Sequence, residues 1–296
     1  MAIVARYRFS TSSRHALRVA APVACIAVVL CGCSINLGSL TPSADKEEPA
    51  RLMSPSSIAS LSEAIKADPN NPQAYNARGA ALLQAGKTED AFADLNKAIS
   101  LDPNYAPAYA NRGLAYRQTR RPDQAMADYE RAIALDANYA PAYLGRGLVH
   151  KERNQPQEAL EDFNKAIALG PDSAEAYFNR GLLYQSEKQD QLAVEDFTAA
   201  NGLMPQQAEP LVARALSYLA LDKIKEAAVD LDEAVQAHPQ NEQAWVTRGL
   251  AYERLGDKAR SVGSYSRAIS LRPKDEAARS GFARVGGKPG QSYDTF

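Results

Sequence analysis

The sequence predicts an all-α solenoid, a stack of antiparallel helix pairs, and three observations predict it. First, residues recur on a 34-residue grid. Prolines stand at Pro69, Pro103, Pro171, Pro205, Pro239 and Pro273, with Ala137 in the single gap. Small residues stand at Gly79, Gly113, Gly147, Gly181, Ala215 and Gly249, and bulky ones at Leu95, Tyr129, Phe163, Phe197, Leu231 and Tyr265. Repetition at this period marks a stack of supersecondary units, each unable to bury its apolar face alone. Second, within one unit the apolar residues split into two helical faces. Tyr75, Gly79 and Leu82 share one, and Ala91, Leu95 and Ala98 the other. Third, the composition is 45% hydrophobic, 23% charged and 7% aromatic, rich in Ala, with Gly scarce in the apolar-periodic segments outside its own column. Ala-rich, Gly-poor periodic segments favour helix.

Taken in chain order, residues 1–33 come first, with Arg6, Arg8, Arg14 and Arg18 and no acidic side chain. The apolar run Val19–Leu30 follows. It falls well short of the ~20 apolar residues a spanning helix needs. A basic segment, a short apolar segment and then small residues make an export signal. The run ends Leu30-Cys31-Gly32-Cys33-Ser34, which resembles the bacterial lipobox. That resemblance implies acylation of Cys33 and removal of what precedes it; Leu30 is too bulky to precede a cleavage at Cys31. More than one acyl chain would then hold the protein on a membrane face. Ser34 after the cysteine favours the outer membrane facing the periplasm. A signal cleaved to release a soluble protein is the alternative.

Residues 34–54 are rich in Ser, Pro, Gly and charge and read as a flexible tether. Residues 55–71 read as a capping helix, with Leu61, Ala64, Ile65 and Pro69 in register with the second half of a unit. Residues 72–274 hold six full repeats. In each, small residues on the two helices let them approach and bulky ones fill the space beside them, and in all but the second repeat proline ends the second helix. Residues 275–284 read as a terminal capping helix with Phe282 on its apolar side, and residues 285–296, bearing Gly and Pro, as a disordered tail.

These columns resemble the tetratricopeptide repeat (TPR) over about Pro72–Lys274. The resemblance implies a right-handed superhelix that binds other proteins and carries no chemistry of its own.

The chain departs from the family in one column. Where the family has a Leu before the Gly, it has Arg78, Arg112, Arg146, Arg180, Arg214 and Arg248. Sixteen residues later stand Asp94, Asp128, Asp162, Asp196 and Asp230, with Ser264 last. The matched acidic column predicts ion pairs tying each hairpin together. A row of arginines gripping carboxylates in a groove is the functional rival.

Parts for catalysis or metal binding are scarce. All three cysteines precede residue 34, so the repeats hold no disulfide, zinc or thiol site. His150 and His238 fall in different repeats, and His150 fills the column of Tyr116, Tyr184, Tyr218 and Tyr252. No Gly-x-Ser-x-Gly turn or phosphate loop is present. The expectation is no enzyme, no metal and no cofactor. The net charge is −1, and without the four N-terminal arginines acidic groups outnumber basic ones, which argues against nucleic acid.

What remains is a surface. The first helices present Leu144, Phe178, Val212 and Val246, where the earlier repeats have Asn76 and Ala110. This row predicts a partly apolar groove for an extended peptide or a partner helix. The leucines one turn on, Leu114, Leu148, Leu182, Leu216 and Leu250, read as interior packing. Asn111 and Asn179 match an Asn of the clamp with which some TPR proteins hold acidic C-termini, but the accompanying lysines are missing. Joined to the lipid anchor, the array resembles lipoproteins of the NlpI type, adaptors that bring cell-wall hydrolases to a carboxy-terminal processing protease. A pilotin-like TPR lipoprotein of pilus or secretion assembly is the alternative. Envelope proteins are the expected partners, and pairing of the chain with itself is open.

Overall fold

The computed structural model describes residues 55–205, 207–293 and 295. The expected signal segment with Cys33 and the expected tether lie outside the described residues. Within them the chain is helical throughout, fourteen helices with no strand. A lone helix opens the stack, α1 (Pro55–Ala67). Six antiparallel hairpins follow: α2 (Pro72–Gln84) with α3 (Thr88–Leu101), α4 (Ala106–Gln118) with α5 (Pro122–Leu135), and α6 (Ala140–Glu152) with α7 (Pro156–Leu169). Then come α8 (Ala174–Ser186) with α9 (Asp190–Leu203), α10 (Ala208–Ala220) with α11 (Ile224–Ala237), and α12 (Glu242–Leu255) with α13 (Lys258–Leu271). A second lone helix, α14 (Glu276–Arg284), closes it.

Local chemistry places each boundary on the grid. The side chains of Asn71, Ser173, Asn241 and Asp275 cap first-type helices, each accepting from the backbone N–H three residues on. Between hairpins, Asp68, Asp102 and Asp136 each accept from the N–H two residues on, closing Asx turns. Within hairpins, one residue in the left-handed region reverses the chain: Gly86, Arg120, Asn154, Lys188, Asp222 and Gly256, with φ between 57° and 78°. The N–H after each of these returns to a carbonyl five residues back, as in Lys87 to Leu82 and Gln189 to Tyr184, both 2.8 Å.

Inside a hairpin the small column meets the bulky one. A Cβ placed on Gly79 would stand 2.8 Å from Leu95, and one on Gly181 2.8 Å from Phe197. Ala91, Leu95, Ala98 and their repeats are fully buried. Gly202 leaves α9 unbroken.

First helices of successive hairpins touch one another, whereas second helices touch the first helices on either side and make no comparable contact among themselves. In a curved stack, elements that meet their own counterparts lie at the smaller radius. The first helices therefore line the inner face.

Residues 285–293 form no helix, yet they do not leave the surface as the sequence predicts for a disordered tail. Tyr293 packs edge-on against Phe282 at 5.5 Å, its hydroxyl accepts from the Lys288 N–H, and the Thr295 carbonyl accepts from Arg248. An aromatic near the chain end gives the segment something to bury, which composition alone does not show. No helix among the described residues is long and apolar enough to cross a membrane.

Candidate functional site

The arginine column comes first, because it fixes which surface is left for a partner. Arg78, Arg112, Arg146, Arg180 and Arg214 each hold the predicted aspartate, Asp94, Asp128, Asp162, Asp196 and Asp230, through two parallel bonds of 2.6–2.9 Å. The aspartates are buried, and hydrogen bonding to them raises every one of these arginine pKa values further. Except at Arg214, which follows Leu211, the guanidinium of the column, Arg248 included, also lies over the aromatic three residues earlier, from Tyr75 to Trp245.

The arginines reach backwards as well. The third nitrogen donates to Ser62 from Arg78, to Asn96 from Arg112, to Asn164 from Arg180 and to Thr198 from Arg214, always sixteen residues upstream in the preceding unit. Arg248, whose downstream partner is Ser264, takes its carboxylate from that upstream position, Asp232, at 2.6 Å. Every arginine but Arg146, which bonds Asp162 alone, thus joins two units. The column is structural and offers no free row for carboxylates.

On the inner face, side chains link successive first helices. Asn111 donates to Asn76, Arg117 to Glu152, Lys151 to Asn179, and Gln185 to Ser217, at 2.8–2.9 Å. Burial lowers the Lys151 pKa from its ordinary value. Asn179, matched in sequence to a clamp residue, is therefore engaged by a lysine of the chain itself. Between the second and third hairpins the face opens into a cavity of about 150 Å³ lined by Leu114, Leu144 and Leu148, with Asn111, Arg117 and Glu175 about it.

Two unforeseen features shape this face. Tyr129 and Tyr265 push their rings past Gly145 and Gly281, where a Cβ would stand 2.2–2.3 Å from the ring. The Tyr265 hydroxyl then donates to Glu253, which Arg284 also grips, and both bonds hold the Glu253 pKa down. The signal was present in the sequence, since glycine stands sixteen residues after the bulky column only where that column is tyrosine.

The expected apolar row is placed differently from the prediction. Val212 is only 6% exposed and belongs to the core around Leu211 and Trp245. Leu144, Phe178 and Val246 are half-buried and pack on three separate core clusters, Phe178 lying 5.7 Å from Phe197. The four do not form a continuous exposed strip. The leucines one turn on include the accessible ones: Leu148 is buried and Leu182 half-buried, but Leu216 and Leu250 are 38% and 36% exposed. The inner face is thus amide-bearing and charged towards its start and apolar towards its end. It can hold a peptide; no group of three potential metal-binding side chains occurs among the described residues.

Comparison with known proteins accords with this geometry. A TPR repeat model matches residues 81–119 and 149–187, and further tetratricopeptide repeat models match 61–93, 106–139, 174–207 and 212–276. No curated protein is detectably similar in sequence. Among solved structures, the chain resembles one described as "Functional Characterization of Pseudomonas Aeruginosa pilF", at 23% identity and a TM-score of 0.66, over 76% of this chain and 99% of that one. It resembles YrrB, described as a TPR protein with an unusual peptide-binding site, at 22% identity and 0.56, over 63% and 96%. It also resembles a chain of the APC/C hetero-tetramer Cut9–Hcn1, at 17% and 0.65, over 77% of this chain but only 45% of that one. At these identities the likeness is one of fold.

Proposed function

Because the chain belongs to the tetratricopeptide repeat family, a family of interaction scaffolds, we propose that it is a lipid-anchored scaffold of the bacterial envelope that holds a segment of another protein on its inner face. The observation that carries this is the pair Leu216 and Leu250, large apolar side chains left accessible on the inner face. Single exposed leucines are ordinary, but two in successive repeats at one register position give a guest neighbouring footholds. Cys33, at the end of the lipobox-like run, supplies the anchor. Its acyl chains hold the array at the outer membrane, facing the periplasm.

Within that role we place an adaptor that brings cell-wall hydrolases to a carboxy-terminal processing protease. A photo-crosslinker at Leu216 tests the site. Its adducts should vanish on Leu250→Asp, while adducts from an outer-face position such as Val229 should not depend on Leu250. Equal capture from both faces overturns the site. A pilotin-like role is the second reading, prompted by the full-length fit of fold to the pilF-titled protein. Deleting the chain separates the two: slowed hydrolase turnover supports the adaptor, and lost surface pili support the pilotin. Cys33→Ser should leave the protein unacylated and off the membrane; retained acylation would refute the anchor.

A further inference from the structure

The stack begins and ends on halves of a repeat. Among the described residues, α1 is a second-type helix with no first helix before it, and α14 is a first-type helix with no second helix after it. Both keep the register of complete hairpins. Leu61 stands in the bulky column and Ala64 in the small column of second helices, while Ala283 stands in the Gly column of first helices. In complete hairpins the residues of these columns are closed against each other, and the counterparts of Ala64, from Ala98 to Ala268, are at most 1% exposed. At the ends they are open: Ala64 and Ala283 are exposed, and Leu61 and Phe282 half-buried. Ile58 fastens α1 to α2 by packing against Leu82 and Leu83, so the open side of α1 is the one that would face a first helix.

The charged column ends in the same complementary way. Phe282 stands where the next arginine would be, and Ser60 where the preceding aspartate would be. Bringing the two ends together leaves no arginine or aspartate buried alone, the usual penalty for extending such a ladder.

We propose that the two ends complete each other between copies, α14 of one chain and α1 of the next forming a seventh hairpin, with the C-terminal tail as a removable cover over that joint. The contact continues the interface already repeated six times within each molecule. It is head-to-tail, so it does not close on itself and adds copies without a fixed limit. The tail fills the place of the missing helix poorly. Gly287–Gln291 enclose an open space of about 580 Å³ against Ile269, Phe282 and Ala283, whereas a packed interior leaves few voids larger than a water molecule. The joint does not depend on what the inner face binds.

Paired cysteines test it in the full chain with Cys25, Cys31 and Cys33 replaced by serine. Leu61→Cys together with Ala283→Cys should give, on mild oxidation, a ladder of dimers, trimers and longer species. Either substitution alone should stop at the dimer. Removing residues 287–296 should bring the ladder in at an about tenfold lower protein concentration. Sedimentation of the truncated chain without added cysteines guards against perturbation by the substitutions. It should grow with concentration, and Ala64→Asp, at an exposed position of α1, should suppress that growth. A truncated chain that stays single at ~100 µM, where a weak joint of Kd near that value would already show, overturns the proposal. So does growth that ends at a dimer.

Discussion

At Gly145 two physical effects compete with opposite signs. Helix propensity favours alanine over glycine by about 1 kcal/mol at an interior position. The Tyr129 ring, however, lies 2.2 Å from where the new Cβ would stand, and overpacking costs typically ~1–3 kcal/mol. Gly145→Ala is therefore expected to lower the melting temperature. Adding Tyr129→Leu, which copies the repeat where Leu95 precedes Asn111, should restore most of the loss; additive losses would show that the ring is not the cause. Glu242 gives a pH-dependent test. Burial, followed by the nearby Asp275 charge, raises its pKa, and one of its carboxylate oxygens is buried without a hydrogen-bond partner. Protonation then favours the folded state. The contribution is present below the unfolded pKa of about 4.3 and is lost as pH rises through the higher folded value. Glu242→Gln should raise the melting temperature at pH 7 and leave it unchanged below about pH 4. At this scale the arginine–aspartate pairs were legible because both members repeat in fixed columns. The backward bond was not, because its acceptors Ser62, Asn96, Asn164 and Thr198 share hydrogen-bonding capacity but no single residue type.

The helices themselves were legible because the apolar period and the proline grid bound them, while the side-chain caps, such as Asn71 and Ser173, close only some of their ends. The left-handed turn residue was harder to see. Glycine marks it at Gly86 and Gly256, but Arg120, Lys188 and Asp222 occupy the same position at φ near 60°. A side chain there costs roughly 1–2 kcal/mol, offset in part by the chain entropy that glycine would add to the unfolded state. Lys188→Gly should therefore stabilise the protein by up to about 1 kcal/mol, measured as a shift of the denaturant midpoint at constant slope. A loss of stability would mean that the Lys188 side chain earns its place through contacts. Which apolar residue of a first helix stays exposed was not legible. Val212 and Leu216 lie one turn apart on α10, and helical periodicity puts both towards the inner side. Packing alone separates them, since Val212 joins the core around Leu211 and Trp245 and Leu216 does not.

Across the whole molecule, stability sums over units and the seams between them, and the arginines belong to both terms. Asp162→Asn removes one carboxylate charge from a buried pair and should cost about 2 kcal/mol, the scale of a hydrogen bond to a charged group. Because Arg146 lies in the third hairpin, exchange of backbone amide protons should quicken most in the third and neighbouring units and least at the far end; uniform quickening would argue that the stack unfolds as one. The solenoid was legible from the period alone, whereas the composition of its inner face was not. That face emerges only when six helices far apart in sequence are laid side by side. The asymmetry of those contacts has a mechanical result. Units are joined chiefly where each second helix meets the next first helix, more lightly where first helices meet, and second helices make no comparable contact with one another. A change of pitch would therefore slide no second helix against another, and the strain would fall on the seam between each second helix and the first helix after it.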